Sequence, residues 1–192
     1  MKPGVRALGV AESYRERRST LAGAVARASR VTDGFAFETC TVGGLDATDA
    51  IIDLFADLDR EDVRYVFVAG IALAWYNVVD LRRVSEATDR PVVSVTFEES
   101  PGLVEAFEAE FEGEALERRR DVFERQPARE RLAVNDQTVF VRSVGVDASE
   151  ARDAVRAFTP EGGRPEPLRV ARLAARAGDD LRRESADTAG ER

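Results

Sequence analysis

The sequence predicts an α/β fold, a mixed sheet with helices on both faces. Two observations predict it. The first forty residues read as successive strands, and from residue 46 onward helical stripes alternate with short apolar runs. Alternation of that kind after an antiparallel start gives a sheet covered by helices. A chain of 192 residues suffices for one domain with a proper core. The expected domain spans 1–178, and 179–192 is expected to be a disordered polar tail.

Val5–Val10 is short and apolar, as a buried first strand should be. Leu21–Ala28 and Gly34–Val42 are the next two strands, with Asp33-Gly34 read as the hairpin turn between them. Asp46-Ala47-Thr48-Asp49 opens a helix whose apolar residues Ile51, Leu54, Phe55 and Leu58 form a stripe. Val63–Ala69, apolar apart from Arg64, suits a central parallel strand. Asn77–Thr88 reads as a second helix, Pro91–Phe97 as a strand, and Pro101 as the start of a Glu- and Arg-rich helical stretch ending near Pro127. Thr138–Val144 alternates like a strand. Ala148–Phe158 is a helix introduced by Asp147, and Leu168 to about Ala177 is a last helix. This element order is that of an RNase H-like fold, shared in part by other mixed α/β folds.

Composition narrows the chemistry. The chain has no histidine and one cysteine, Cys40, which excludes an internal disulfide and a Cys/His zinc site. Any reaction must use carboxylates, hydroxyls or arginines. No apolar run approaches the ~18 residues of a membrane span, and the N-terminus lacks an export signal, so a cytoplasmic protein without membrane partners is expected. Asp and Glu number 36 against 28 basic residues, and Lys2 is the single lysine. An acidic surface of this kind suits a saline cytoplasm. The arginine-rich stretches, Arg15, Arg17, Arg18 and Arg118–Arg120, are read as solvated faces.

Four blocks, in order, carry a resemblance: Arg6-Ala7-Leu8-Gly9-Val10-Ala11-Glu12; Val42-Gly43-Gly44-Leu45-Asp46-Ala47-Thr48; Val68-Ala69-Gly70-Ile71 with Tyr76-Asn77-Val78-Val79-Asp80; and Arg164-Pro165-Glu166-Pro167-Leu168-Arg169-Val170-Ala171-Arg172. Together they resemble the archaeal endonuclease dU family, which is similar to endonuclease V in its RNase H-like fold. The resemblance implies metal-dependent cleavage of DNA containing deaminated bases, with Mg²⁺ or Mn²⁺ held by carboxylates at strand ends. It makes Glu12 and Asp46 the candidate catalytic and metal-ligating residues. It also makes Thr48, Tyr76, Asn77, Asp80, Glu166 and Arg169 candidates for the substrate cleft.

The chain departs from the family pattern where acids are expected, at Ala11, Gly43 and Ala69, and has Arg172 where the family has His. Successive strand side chains face opposite ways, so Glu12 replaces the carboxylate missing at Ala11 only through a bulge or turn. Local alternatives stand beside each candidate. Asp46 and Thr48 suit a helix cap, Asn77 and Asp80 the start of the second helix, and Glu166 and Arg169 a mutual ion pair. Tyr14, Trp75 and Tyr76 suit either base stacking or ordinary packing. The alternative function is a non-catalytic descendant that binds nucleic acid or protein. A third, with relocated chemistry, would draw on Glu98 and Glu99.

Overall fold

The computed structural model describes residues 1–14, 16–99 and 102–190, with side chains through 185. Three antiparallel strands come first, β1 (Arg6–Tyr14), β2 (Arg18–Arg27) and β3 (Thr32–Thr41). Helix α1 (Ala47–Leu58) leads to β4 (Val63–Val68), which lies parallel to β1. A miniature hairpin, β5 (Ala72–Leu73) and β6 (Asn77–Val78), precedes α2 (Leu81–Thr88), and β7 (Val92–Thr96) then joins β4 in parallel. After α3 (Val104–Glu110) and α4 (Gly113–Glu124), the hairpin β8 (Glu130–Val134) and β9 (Gln137–Val144) completes the sheet through β9. Helices α5 (Ala148–Ala157) and α6 (Glu166–Gly190) close the chain. The strand order is β3-β2-β1-β4-β7-β9-β8.

Alternation along the strands separates two cores. Leu8, Val10, Leu21, Val66 and Val92 face α1 and α2, packing on Ile51, Leu54, Leu81 and Val84. Ala7, Phe67, Val93 and Val95 face the other way, onto Val155 of α5, Phe158 at its C-cap and Leu168 of α6. The α6 side is lined by small residues. Ala22, Ala24 and Ala26 of β2 are fully buried there, and a Cβ on Gly9 would lie 2.2 Å from the Pro167 carbonyl carbon. Only glycine admits so close a backbone approach. The first and last blocks of the sequence therefore meet at one point.

Several boundaries differ from the sequence reading. Asp33-Gly34 is not the turn. The chain turns at residues 28–31, with Arg30 at φ 72°, and the β2–β3 register skips Asp33 as a bulge. The Asp33 carboxylate is aimed at Arg27 and Arg6, accepting from their Nε atoms at 2.7 and 2.6 Å, and those bonds hold its pKa down to about 2. Residues 77–80 do not begin the second helix, because Asn77 and Val78 pair with Leu73 and Ala72. The helical stretch expected to start at Pro101 is two helices, broken where Gly113 adopts φ 56°. Pro101 and Arg15 themselves lie outside the described residues. Strand β8, with only Leu132 and Val134 buried, carried too weak a pattern to be read.

The polar segment after Gly178, expected to lack regular structure, continues α6 to Gly190. Gly178 is a packing residue, with Phe37 and Thr20 3.2 to 3.3 Å from where its Cβ would be. Asp179 is buried beside Thr20 and Arg182. Among the described residues, no helix is long and apolar enough to cross a membrane.

Candidate functional site

The second and third sequence blocks meet at a hydrogen-bonded junction beneath the β5–β6 hairpin. Asp46 stands at the N-cap position of α1, yet its side chain does not cap that helix. It accepts instead from the Thr41 amide at 3.0 Å, the Thr41 hydroxyl at 2.7 Å and Asn77 Nδ2 at 2.6 Å. Burial pushes its pKa up most strongly as a single influence, but the Thr41 and Asn77 bonds together outweigh it, leaving the carboxyl below its ordinary value. Asn77, fully buried, caps α1 by accepting from the Ala47 amide at 2.9 Å. Thr48 Oγ1 accepts from the Asp80 amide at 3.0 Å, and Asp80 caps α2 through the amides of Arg82 and Arg83. Asp46, Thr48, Asn77 and Asp80 are thus brought together, and each spends its polar atoms tying α1, α2 and the hairpin to one another.

The hairpin turn itself is unusual. Ala74, Trp75 and Tyr76 all have positive φ, at 40°, 60° and 58°, a conformation that L-residues enter at an energetic cost. What holds it is Arg119, which the sequence reading placed on a solvated face but which is 1% exposed. Its guanidinium donates to the carbonyls of Tyr76, Gly43, Gly44 and Ala115 and lies 3.6 Å over the Phe111 ring. Tyr76, half-buried, packs edge-on against Phe107 and Phe111. Trp75 is 46% exposed beside it. Glu166 and Arg169 form a bidentate pair, both bonds 2.7 Å, in the first turn of α6.

The open feature is elsewhere. A cleft of about 640 Å³ lies over the C-terminal ends of β1, β4 and β7. Its floor includes Ala11, Ala69, Gly70 and Thr96, and its walls carry Arg129, Arg142, Arg164, Arg172 and Arg176 with Phe97, Phe123 and Phe140. Of the residues singled out in the sequence, Glu12, Tyr14 and Glu98 line it. Ala11 belongs to the α6 face, clustered with Ala24 and Ala171. Glu12 is on the opposite side, at the end of the Leu8 and Val10 row, where it accepts from Ser19 Oγ at 2.8 Å. β1 runs through this point without a bulge in its pairing to β2. Burial raises the Glu12 pKa, against a backbone bond from Ala74, the Ser19 bond and the charge of Arg172. The Cys40 thiol, buried first and then faced by the charges of Asp46 and Glu12, is pushed up to about 12.

These donors do not fit a divalent ion. Hard cations need several oxygen ligands converging on one point. Ala11 and Ala69 offer none, and the Asp46 carboxylate is taken up by Thr41 and Asn77. Among the described residues, no three Asp, Glu, Cys or His side chains are grouped to hold a metal. The sequence reading also missed the cleft arginines. Arg172 and Arg176 sit one helical turn apart on α6, a signal that was present. Arg129 and Arg142 reach the cleft only through the β8–β9 register.

Residues 3–178 match the family model described as Endonuclease dU. A crystal structure of an Archaeoglobus fulgidus protein of unknown function aligns with TM-score 0.80 and 31% identity, covering 90% of this chain and 96% of that one. Endonuclease V from Streptomyces avermitilis aligns with TM-score 0.63 and 18% identity, over 93% of this chain and 83% of that one. Ciona intestinalis Endonuclease V, in complex with a 24mer DNA containing an inosine followed by a ribo-adenosine, aligns with TM-score 0.60 and 11% identity, over 92% and 86%. The fold is that of the endonuclease V type, RNase H-like, as the element order predicts.

Proposed function

The chain belongs to the endonuclease dU family, and we propose that it uses the arginine-lined cleft to engage DNA carrying a deaminated base, without metal-dependent cutting. Family and fold support a nuclease. The inosine-containing DNA held by the Ciona relative supports the substrate class. One observation carries the departure from cutting: the cleft has Ala11 and Ala69 at the strand ends where the family pattern has acids, and five arginines around them against Glu12 and Glu98. Arginine suits phosphate recognition, and its planar fork also stacks on bases.

A duplex containing uracil or hypoxanthine, labelled for fluorescence anisotropy, tests this with chelator and with Mn²⁺. Binding is expected to persist in chelator, to exceed that of the undamaged duplex, and to yield no product on a denaturing gel. Absence of any preference for the lesion would sink the substrate class. Glu12 and Glu98 border the same cleft, which favours a second reading in which cleavage survives. Product formed in Mn²⁺ by the parent and lost in Glu12→Gln would establish it.

A further inference from the structure

We propose that the cleft over Ala11 and Ala69 is a phosphate site built from arginine, with Arg164, Arg172 and Arg176 as its grip. The inference rests on the nucleic-acid reading for the source of the phosphate, and it names the group that is held.

Three observations carry it. The first is charge. Five arginines line the cleft against two glutamates, Glu12 and Glu98. Among the described residues, Arg142, Arg164, Arg172 and Arg176 have no carboxylate within ion-pair distance, whereas most arginines elsewhere in the protein, such as Arg6, Arg27 and Arg60, do. Within this group Arg164 feels the like charges of Arg172 and Arg176, and Arg142 feels that of Arg129. Glu12, which feels the charge of Arg172, and Glu98 offset only part of this charge, and clustered like charge in excess of its counter-charge is relieved by a bound anion.

The second is order. Arg164 is stacked 3.9 Å from the Phe97 ring and Arg129 4.0 Å from the Phe140 ring. Arg129 also donates to the Glu98 carbonyl, and Arg142 to the Pro127 carbonyl. Stacking fixes a guanidinium plane and leaves its N–H edge available, so less side-chain entropy is lost on binding. The third is the floor. Alanine and glycine at positions 11, 69 and 70 present no negative group to repel a phosphate, and the cleft of about 640 Å³ has room for a phosphate with its attached sugar.

Inorganic phosphate and DNA supply the same chemistry, and calorimetry can separate them. Phosphate is titrated into the protein in chelator, with ionic strength held constant by sodium chloride, and compared with the double variant Arg164→Gln/Arg172→Gln. The parent is expected to bind phosphate, with about tenfold loss for each arginine removed. An oligonucleotide is then tested with and without a 5′-phosphate. Tighter binding with the 5′-phosphate assigns the site to a phosphomonoester, and equal binding, weakened in the double variant, assigns it to the backbone diester. No phosphate binding by the parent, or equal binding by the correctly folded double variant, overturns the proposal. DNA binding that survives unchanged in the double variant overturns it too while leaving the nucleic-acid reading intact. Phosphate binding without DNA binding does the reverse.

Discussion

At the scale of the residue, Glu12 shows how strand parity governs chemistry. It is adjacent in sequence to the missing acid at Ala11, yet it faces Ser19 rather than the alanine floor. Burial is the main reason its pKa is raised from 4.5, so at neutral pH its charge opposes folding. A raised folded-state value means that Glu12 contributes stability while protonated, below about 4.5, and that this is lost as pH climbs through the folded value. Glu12→Gln keeps the Ser19 bond and removes the charge. Its melting temperature is therefore expected to exceed the parent's at pH 7, with the difference closing in scans below pH 4.5. A variant less stable than the parent at pH 7 would show that the Arg172 attraction outweighs burial.

At the scale of the element, two contacts hold the blocks in place. Gly9 lets β1 touch the first turn of α6, where the Pro167 backbone would meet any side chain. Because backbone cannot swing aside as a side chain can, Gly9→Ala should lose about 3 kcal/mol, the upper end for overpacking, in chemical denaturation. Arg119 is the other. Its loss leaves the Gly43, Gly44 and Tyr76 carbonyls without their donor beneath a turn of three left-handed residues. Arg119→Met is expected to destabilise by roughly 3 kcal/mol, and Arg119→Lys should recover only part, since one ammonium cannot reproduce a fork that spans two loops. Limited proteolysis near Trp75 would report the freed hairpin.

The elements themselves were largely legible. The stripe of α1, the Asp147 cap of α5, which accepts from the Glu150 amide, and the apolar run of β4 each follow from a period or a capping residue. What escaped were features with no period of their own. Asp33-Gly34 has turn chemistry but sits in a bulge, because Arg6 and Arg27 capture its carboxylate from neighbouring strands. Gly178 resembles a helix end and is instead a notch for Phe37. Asn77 stands where the sequence pattern opens a helix toward α2, and it caps α1 instead, thirty residues back.

At the scale of the whole molecule, an acidic chain with net charge −8 gathers arginines around one cleft. Average charge then says little about nucleic acid, because local charge governs contact within a Debye length. DNA affinity should fall steeply as salt rises, and the slope of log K against log salt should shrink by about 1 for each of Arg142, Arg164 and Arg172 changed to Gln. An unaltered slope would place the phosphate contacts off the cleft.

The sequence by itself determined the α/β class, the order of most elements, the family, and the absence of acids at positions 11, 43 and 69, since these are read from identity and period. Tertiary structure alone decided where the retained polar residues act. Asp46, Thr48, Asn77 and Asp80 are distant in the chain and meet in one hydrogen-bonded junction. The arginines of α6, β9 and the loops beside them converge on the alanine floor. Such convergence is set by strand register and by the seat of α6 on Gly9, neither of which leaves a local trace in the sequence.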